Sequence, residues 1–218
     1  GRIHVCYPGI GLKENKIIRS TSQKRPYFLF VGAFKPGKNI PFLLRAFSAA
    51  VKQGLTSDLL LVGSDRWMSE DIAGMIVREK LGNRVQIKGF VDEETLMELY
   101  RGARATLIPS LVEGFGFPVV ESFQVGTPVI GSSAGSLPEV IGEAGMCIDP
   151  KDEEGFVRAL FQFEKKGARE RYQGHIQTQL EKFTVEKFVK SVSEVIDLTS
   201  IDNVSSPTRF AEASARRA

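Results

Sequence analysis

Short apolar runs ending in glycine or proline recur along the chain, and between them lie stretches whose apolar residues return about every 3.6 positions. The first run, Tyr27-Phe28-Leu29-Phe30-Val31-Gly32, is apolar throughout, as expected of a strand covered on both faces. Runs of the same kind follow at 58–63, 85–89, 105–108 and 128–131, with a weaker one at 146–148. Two intervening stretches predict amphipathic helices: 41–52, with Phe42, Leu43, Ala46, Phe47 and Ala50 on one side, and 70–81, with Ile72, Ala73, Ile76 and Leu81. A third, 92–101, opens on Asp92 as a capping residue and continues with Glu93 and Glu94, where a helix dipole favours negative charge. It gathers Leu96, Leu99, Tyr100 and Ala103 on one face.

Repeated alternation of apolar strand and helix predicts a parallel sheet with helices on both faces, joined by right-handed crossovers. The expected fold class is therefore α/β, a doubly wound, Rossmann-like domain. Beyond Pro150 the strand pattern stops and helices are predicted at 152–165, 170–182 and 184–198. The chain divides on this reading into a linker-like segment over 1–16, the α/β domain over 17–198, and a polar tail over 199–218 rich in Ser, Ala and Arg.

Composition removes several classes without choosing among the rest. At 218 residues the chain is long enough to build a core without disulfides or metals. Cys6 and Cys147 are far apart and lie in no Cys-x-x-Cys spacing, which argues against structural zinc and a secreted disulfide framework. A reducing, cytoplasmic setting is the expectation. No apolar run reaches the roughly 18 residues that a membrane span needs. A net charge of +3 does not by itself imply nucleic acid.

Candidate chemistry follows from the fold. In an open parallel sheet, ligands bind beyond the carboxyl ends of the strands, near the point where strand order reverses. The segments at those ends are 32–39, 63–65, 89–91, 109–117 and 132–135. The fourth is the most unusual: Pro109-Ser110-Leu111-Val112-Glu113-Gly114-Phe115-Gly116-Phe117-Pro118 joins glycines, aromatics and an acid, then opens a helix with proline in its first turn. Free backbone N–H groups and the positive dipole end make an anion site there, and Gly114 and Gly116 allow close backbone approach. Glu113 and Glu121 frame the loop. Carboxylates beside an anion site suit vicinal sugar hydroxyls, so phosphate belongs on the backbone and cation side, with Lys38 as the cation, and sugars on the acids. Singly, Glu121 reads as a helix-start acid, Glu113 as a solvated loop acid and Lys38 as a surface lysine. Their convergence at one end of one sheet favours a ligand site.

The stretch Pro109-Ser110-x-x-Glu113-Gly114-Phe115-Gly116-Phe117-Pro118-x-x-Glu121 resembles the paired-glutamate signature of the retaining glycosyltransferases of the glycogen-synthase-like and mannosyltransferase-like group. Gly126-Thr127-Pro128-Val129-Ile130, Gly135-Ser136-Leu137-Pro138-Glu139-Val140-Ile141, Val31-Gly32 with Lys38-Asn39, and Leu61-Val62-Gly63 continue the likeness, which spans about residues 5–198. The resemblance implies the C-terminal half of a GT-B fold. It implies that Glu113 contacts the transferred sugar, with Lys38 neutralising the departing diphosphate. Glu121 would bind the ribose, backbone groups of Phe115, Gly116, Phe117 and Val119 the sugar and diphosphate, and the strand-end loops at Gly32 and Gly89 would approach the nucleotide.

The implied donor is a GDP- or UDP-linked hexose and the implied chemistry is transfer with retention, without a metal; His4 and His175 are too scattered to suggest one. Relatives of this kind often carry a second cation where this chain has Ala33 or Gly37, and Lys35 or an arginine from elsewhere is the candidate replacement. The implied partner is the N-terminal acceptor domain of the same enzyme, so the chain is expected to bind donor and transfer little alone. That domain would also carry any peripheral association with the inner face of a membrane. The first residue, Gly1, is not methionine, as in a processed product or a piece of a longer chain. The other readings are a non-catalytic nucleotide-binding or assembly module, and a GT-B epimerase or phosphorylase.

Overall fold

The computed structural model describes residues 3–11, 25–64 and 72–204, with no account of side chains beyond Asp197. The chain forms two compact units, one comprising residues 13–180 and the other residues 1–12 with 181–218.

The larger unit is a six-stranded parallel sheet in the order β3-β2-β1-β4-β5-β6. Its strands are β1 (Tyr27–Val31), β2 (Asp58–Val62), β3 (Val85–Lys88), β4 (Thr106–Ile108), β5 (Val129–Ser132) and β6 (Gly145–Ile148), at the six predicted places. The reason for the apolar runs of the central strands is visible in β1. Phe28 and Phe30 enter one core with α1 (Ile40–Lys52), α2 (Ile72–Arg78) and α6 (Glu153–Glu164), whereas Tyr27 and Leu29 enter another with α3 (Glu93–Gly102). Successive residues of a strand face opposite sides, so a sheet covered twice needs apolar residues at both. Strand order reverses between β1 and β4, and two short helices follow the strands beyond that point, α4 (Phe117–Gln124) and α5 (Leu137–Ile141).

Asp92 caps α3 as expected, its carboxylate accepting from Thr95 N–H at 2.8 Å and Thr95 Oγ1 at 3.0 Å. Three helix expectations need correction. In α2 it is Met75, not Ala73, that packs beside Ile72 and Ile76, and Ala73 is exposed; the expected start at residue 70 lies outside the described residues. The helix predicted at 170–182 is broken into a tight turn at Glu170–Tyr172, α7 (Gln173–Leu180) and a second turn at Glu181–Phe183. The helix predicted to end at 198 continues as α8 (Val185–Val204), through the first residues of the expected polar tail; the remainder, 205–218, lies outside the described residues.

In the smaller unit residues 7–10 pack against the segment that leads into α8. Ile10 bridges Thr184, with Ile10 N–H donating to the Phe183 carbonyl at 2.8 Å, and Tyr7 packs edge-on against Phe183 at 5.4 Å. Gly9 lies against the start of α8 so tightly that a Cβ there would sit 2.6 Å from Val185 Cα.

Candidate functional site

The crevice where strand order reverses is built from the exits of β1 and β4. β1 leaves through Gly32, which lies against the exit of β2: a Cβ on Gly63 would stand 1.9 Å from the Gly32 carbonyl oxygen. The chain then turns at Pro36–Lys38 and enters α1 through Asn39, in the left-handed conformation at φ 55°. Asparagine tolerates that region better than most residues. Its side-chain amide donates to the carbonyls of Pro109 and Pro150, each at 3.2 Å, tying the β1 exit to the loops after β4 and β6. Leu111 N–H donates to the Gly37 carbonyl at 2.8 Å, a second tie across the same crevice.

These ties bring together two predicted site residues 75 positions apart. Lys38 Nζ donates to Glu113 Oε2 at 2.5 Å, and the two side chains are only 22% and 14% exposed. Glu113 is held from behind as well. Its carbonyl accepts from Ser136 N–H at 3.3 Å and Ser136 Oγ at 3.2 Å, and Gly135, at φ +60°, lies so close that a Cβ would be 2.6 Å from the Glu113 carbonyl oxygen.

The helix that follows, α4, starts at Gly116 with φ +92° and carries Pro118 in its first turn. The N–H groups of Gly116 and Phe117 have no hydrogen-bond partner among the described residues. They supply the open donors that an anion needs at a helix start. The Val119 N–H is bonded to the Gly116 carbonyl at 2.8 Å and its side chain is fully buried. Phe115 and Phe117 meet edge to face at 5.3 Å, with Phe117 half-exposed on the crevice loop. Glu121 is half-buried, and its Oε2 accepts from the Tyr100 hydroxyl at 2.8 Å.

The remaining candidates spread outward. Lys35 is exposed on the turn that precedes Lys38. Gly89 is at the carboxyl end of β3, on the sheet edge, two strands from β1 and roughly 10 Å away at ordinary strand spacing. Its neighbour Phe90 is 93% exposed. Asn39, Gly135, Ser136 and Tyr100 were not singled out as site residues from sequence. The asparagine following the turn and the glycine in a strand-to-helix loop carried a local signal, whereas nothing local links Tyr100 to Glu121.

A cavity of about 560 Å³ lies elsewhere, at the amino ends of β1 and β4, lined by Arg25, Tyr27, Arg104, Lys165 and Arg169 among others. Arg169 is a brace there: its guanidinium donates to the carbonyls of Gly126, Val125, Ala103 and Arg101. Burial pulls its pKa below the usual arginine value. Among the described residues, no group of three or more His, Cys, Asp or Glu is placed to hold a metal ion, and no helix is long and apolar enough to cross a membrane.

A doubly wound sheet with a cation, a carboxylate and an open helix start gathered at its reversal point defines the class of α/β domains that take ligands at the carboxyl strand ends. The chain belongs to the group 1 glycosyl transferases, whose family profile matches residues 13–178. It is similar to the O-antigen chain mannosyltransferase B of Escherichia coli, 34% identical over 137 residues, covering 62% of this chain and 36% of that protein. It also resembles the O-antigen chain mannosyltransferase RfbU of Salmonella typhimurium, 31% identical over 146 residues, 66% of this chain and 40% of that one. The chain thus spans about two fifths of these relatives. Among solved structures, the sucrose-phosphate synthase of Thermosynechococcus elongatus superposes with a TM-score of 0.70 at 28% identity, over 82% of this chain and 46% of that chain. The lipopolysaccharide outer core galactosyltransferase WaaB, in its apo form, does so at 0.72 with 20% identity, over 89% and 55%, and shares the fold. The GT-B half expected from sequence is the fold observed.

Proposed function

We propose that this chain is the donor-binding half of a retaining glycosyltransferase that takes a hexose from a GDP- or UDP-linked donor. The observation that carries the reading is the Lys38–Glu113 pair, set across the β1/β4 crevice beside the open N–H groups of Gly116 and Phe117. The diphosphate would lie on those N–H groups and on Lys38, and the hexose hydroxyls on Glu113. Glu121 would take the ribose, while Phe115, Gly116, Phe117 and the buried Val119 shape the floor beneath the phosphates. Gly32, Lys35 and Gly89 border the nucleotide, with Lys35 as a second cation within reach of the departing charge.

The chemistry asked of this half is electrostatic. Cleaving the bond between sugar and diphosphate places new negative charge on the leaving phosphate, and a pre-placed ammonium with two N–H donors stabilises that charge without reorganising. A donor phosphate competes with Glu113 for Lys38, so Glu113 is freed to accept from sugar hydroxyls as the diphosphate binds. Mannose is the hexose that the names of the Escherichia and Salmonella relatives favour. The acceptor would come from a surface outside these 218 residues, in which case donor binding without efficient transfer is the expected behaviour of this chain.

Calorimetric titration with UDP, GDP and ADP, each with and without sugar, tests the reading. Binding of one nucleotide, weakened at least about tenfold by Glu121→Ala, supports it; the size is that of one hydrogen bond to a charged group. Silence from all three overturns it.

A further inference from the structure

Tyr100 is the largest fully buried side chain among the described residues, at 0% exposure, yet it carries a polar hydroxyl, and that hydroxyl is bonded to Glu121 Oε2 at 2.8 Å. It sits in the last turn of α3, and its surroundings fix it at several points. Its own carbonyl accepts from Thr127 Oγ1 at 2.7 Å, and the preceding carbonyl, of Leu99, accepts from the Tyr27 hydroxyl at 2.8 Å. The ring packs in the core on the β1 and β2 face with Tyr27, Leu60, Val62 and Val125. A donor held this firmly constrains the carboxylate it touches, and Glu121 is half-buried in the second turn of α4, the helix that starts at the crevice. One bond to Oε2 leaves Oε1, and a further lone pair, to accept from outside. Burial, reinforced by the charge of Glu121 and by the hydrogen bond to it, pushes the Tyr100 phenol well above its ordinary value, so it remains a donor at neutral pH.

We propose that Tyr100 is a positioning residue that aims Glu121 at the paired hydroxyls of a ribose and so makes the site selective for ribonucleoside over 2′-deoxyribonucleoside diphosphates. The proposal rests on the reading of Glu121 as the ribose-binding residue. A ring that merely filled the core would be replaced without consequence by phenylalanine. A positioning hydroxyl is coupled specifically to the ligand's hydroxyl pair, because a carboxylate released from its anchor spreads over several rotamers and presents two acceptors less often at the required spacing.

The test is a cycle in which Tyr100→Phe, Glu121→Ala and the unsubstituted 218-residue chain are each titrated with the diphosphate that binds, among UDP, GDP and ADP, and with its 2′-deoxy counterpart. Thermal melting reports whether each variant is folded. The expected result is a preference for the ribonucleotide of about tenfold or more in the unsubstituted chain, abolished by Glu121→Ala. Tyr100→Phe is expected to reduce the preference to within about threefold of unity, with the 2′-deoxy affinity changed less than about twofold. A folded Tyr100→Phe that keeps the full preference, or that weakens both ligands equally, overturns the role of Tyr100 and leaves the Glu121 reading intact. Absence of any preference in the unsubstituted chain, with Glu121→Ala neutral, overturns the Glu121 reading and Tyr100 with it, as does absence of binding by all three diphosphates.

Discussion

Gly135 lies against the backbone of Glu113 so closely that a single methyl group in its place would be 2.6 Å from the Glu113 carbonyl oxygen and 3.1 Å from its nitrogen. At φ +60° the position is also one that side chains rarely adopt. Gly135→Ala combines both faults: about 1–2 kcal/mol for the left-handed backbone and about 1–3 kcal/mol for the overlap. Backbone cannot give way as a flexible side chain would, so the overlap moves Glu113. The expected outcome is a destabilisation of roughly 2–5 kcal/mol in denaturant unfolding. Affinity for the nucleotide sugar should fall by about tenfold or more, a loss similar to that of one charge-assisted hydrogen bond.

Lys38→Met removes the cation and leaves Glu113 mostly buried and without its ammonium partner. For a pair between the exposed and fully buried limits, the expected loss of stability is roughly 1–3 kcal/mol. Adding Glu113→Gln should recover most of the stability, since the unpaired carboxylate is gone, but none of the diphosphate affinity. Chemical denaturation and calorimetry on the two single variants and the double variant separate the structural from the ligand-binding effect.

Asn39 serves through both its backbone and its amide. Asn39→Gly keeps the left-handed turn and loses two hydrogen bonds, for an expected cost of about 1–3 kcal/mol. Asn39→Asp places a carboxylate against the carbonyls of Pro109 and Pro150, where the amide donated. It should lower the melting temperature further than Asn39→Gly, despite being nearly the same shape. The reverse order would show that conformation, not the bridge, is what matters at this residue.

The Tyr100 phenol makes a prediction about alkaline stability. Its folded pKa is raised above the ordinary value of 10.0, so the folded state holds the proton more tightly than the unfolded state does. The corresponding stability is fully present below the unfolded value and is lost as pH rises from there towards the folded value. Tyr100→Phe has no proton to lose. The difference in unfolding free energy between the unsubstituted chain and Tyr100→Phe should therefore be constant between about pH 7 and pH 9 and fall at about pH 10–11. A difference that stays flat across that range would contradict the buried, Glu121-paired phenol.

The central strands were legible because a strand covered on both faces is apolar at successive positions, as Tyr27–Val31 and residues 59–62 are. The site was legible in part. Lys38 and Glu113 each lie in the loop that follows a strand, and the glycines between Glu113 and Glu121 mark a helix start, but the ion pair of Lys38 with Glu113 joins residues 75 positions apart and depends on β1 lying beside β4. Tyr100 read as one more apolar member of a helix face, since its ring is indeed core and only three dimensions bring its hydroxyl to Glu121. The break in the helix expected at 170–182 follows a segment where Gly174 sits among polar residues and the apolar period is weak, so local propensity had little to say. There Arg169, donating to four carbonyls, sets the path of the chain instead.

The strand order places a seam down the middle of the sheet. β1, β2 and β3 are sequential neighbours on one side and β4, β5 and β6 on the other, so each half can assemble from short-range crossovers. Joining them requires pairings across long sequence distances, such as Leu29 with Thr106 and Arg104 N–H with the Tyr27 carbonyl. Closure of that seam is the slow, entropically costly step expected in folding. The crevice lies at the top of the same seam, with Lys38 from one half and Glu113 from the other. A diphosphate sugar seated between them would act as a rivet through both halves. At a hundred times its dissociation constant, it would make the assembled sheet about 2.7 kcal/mol harder to unfold.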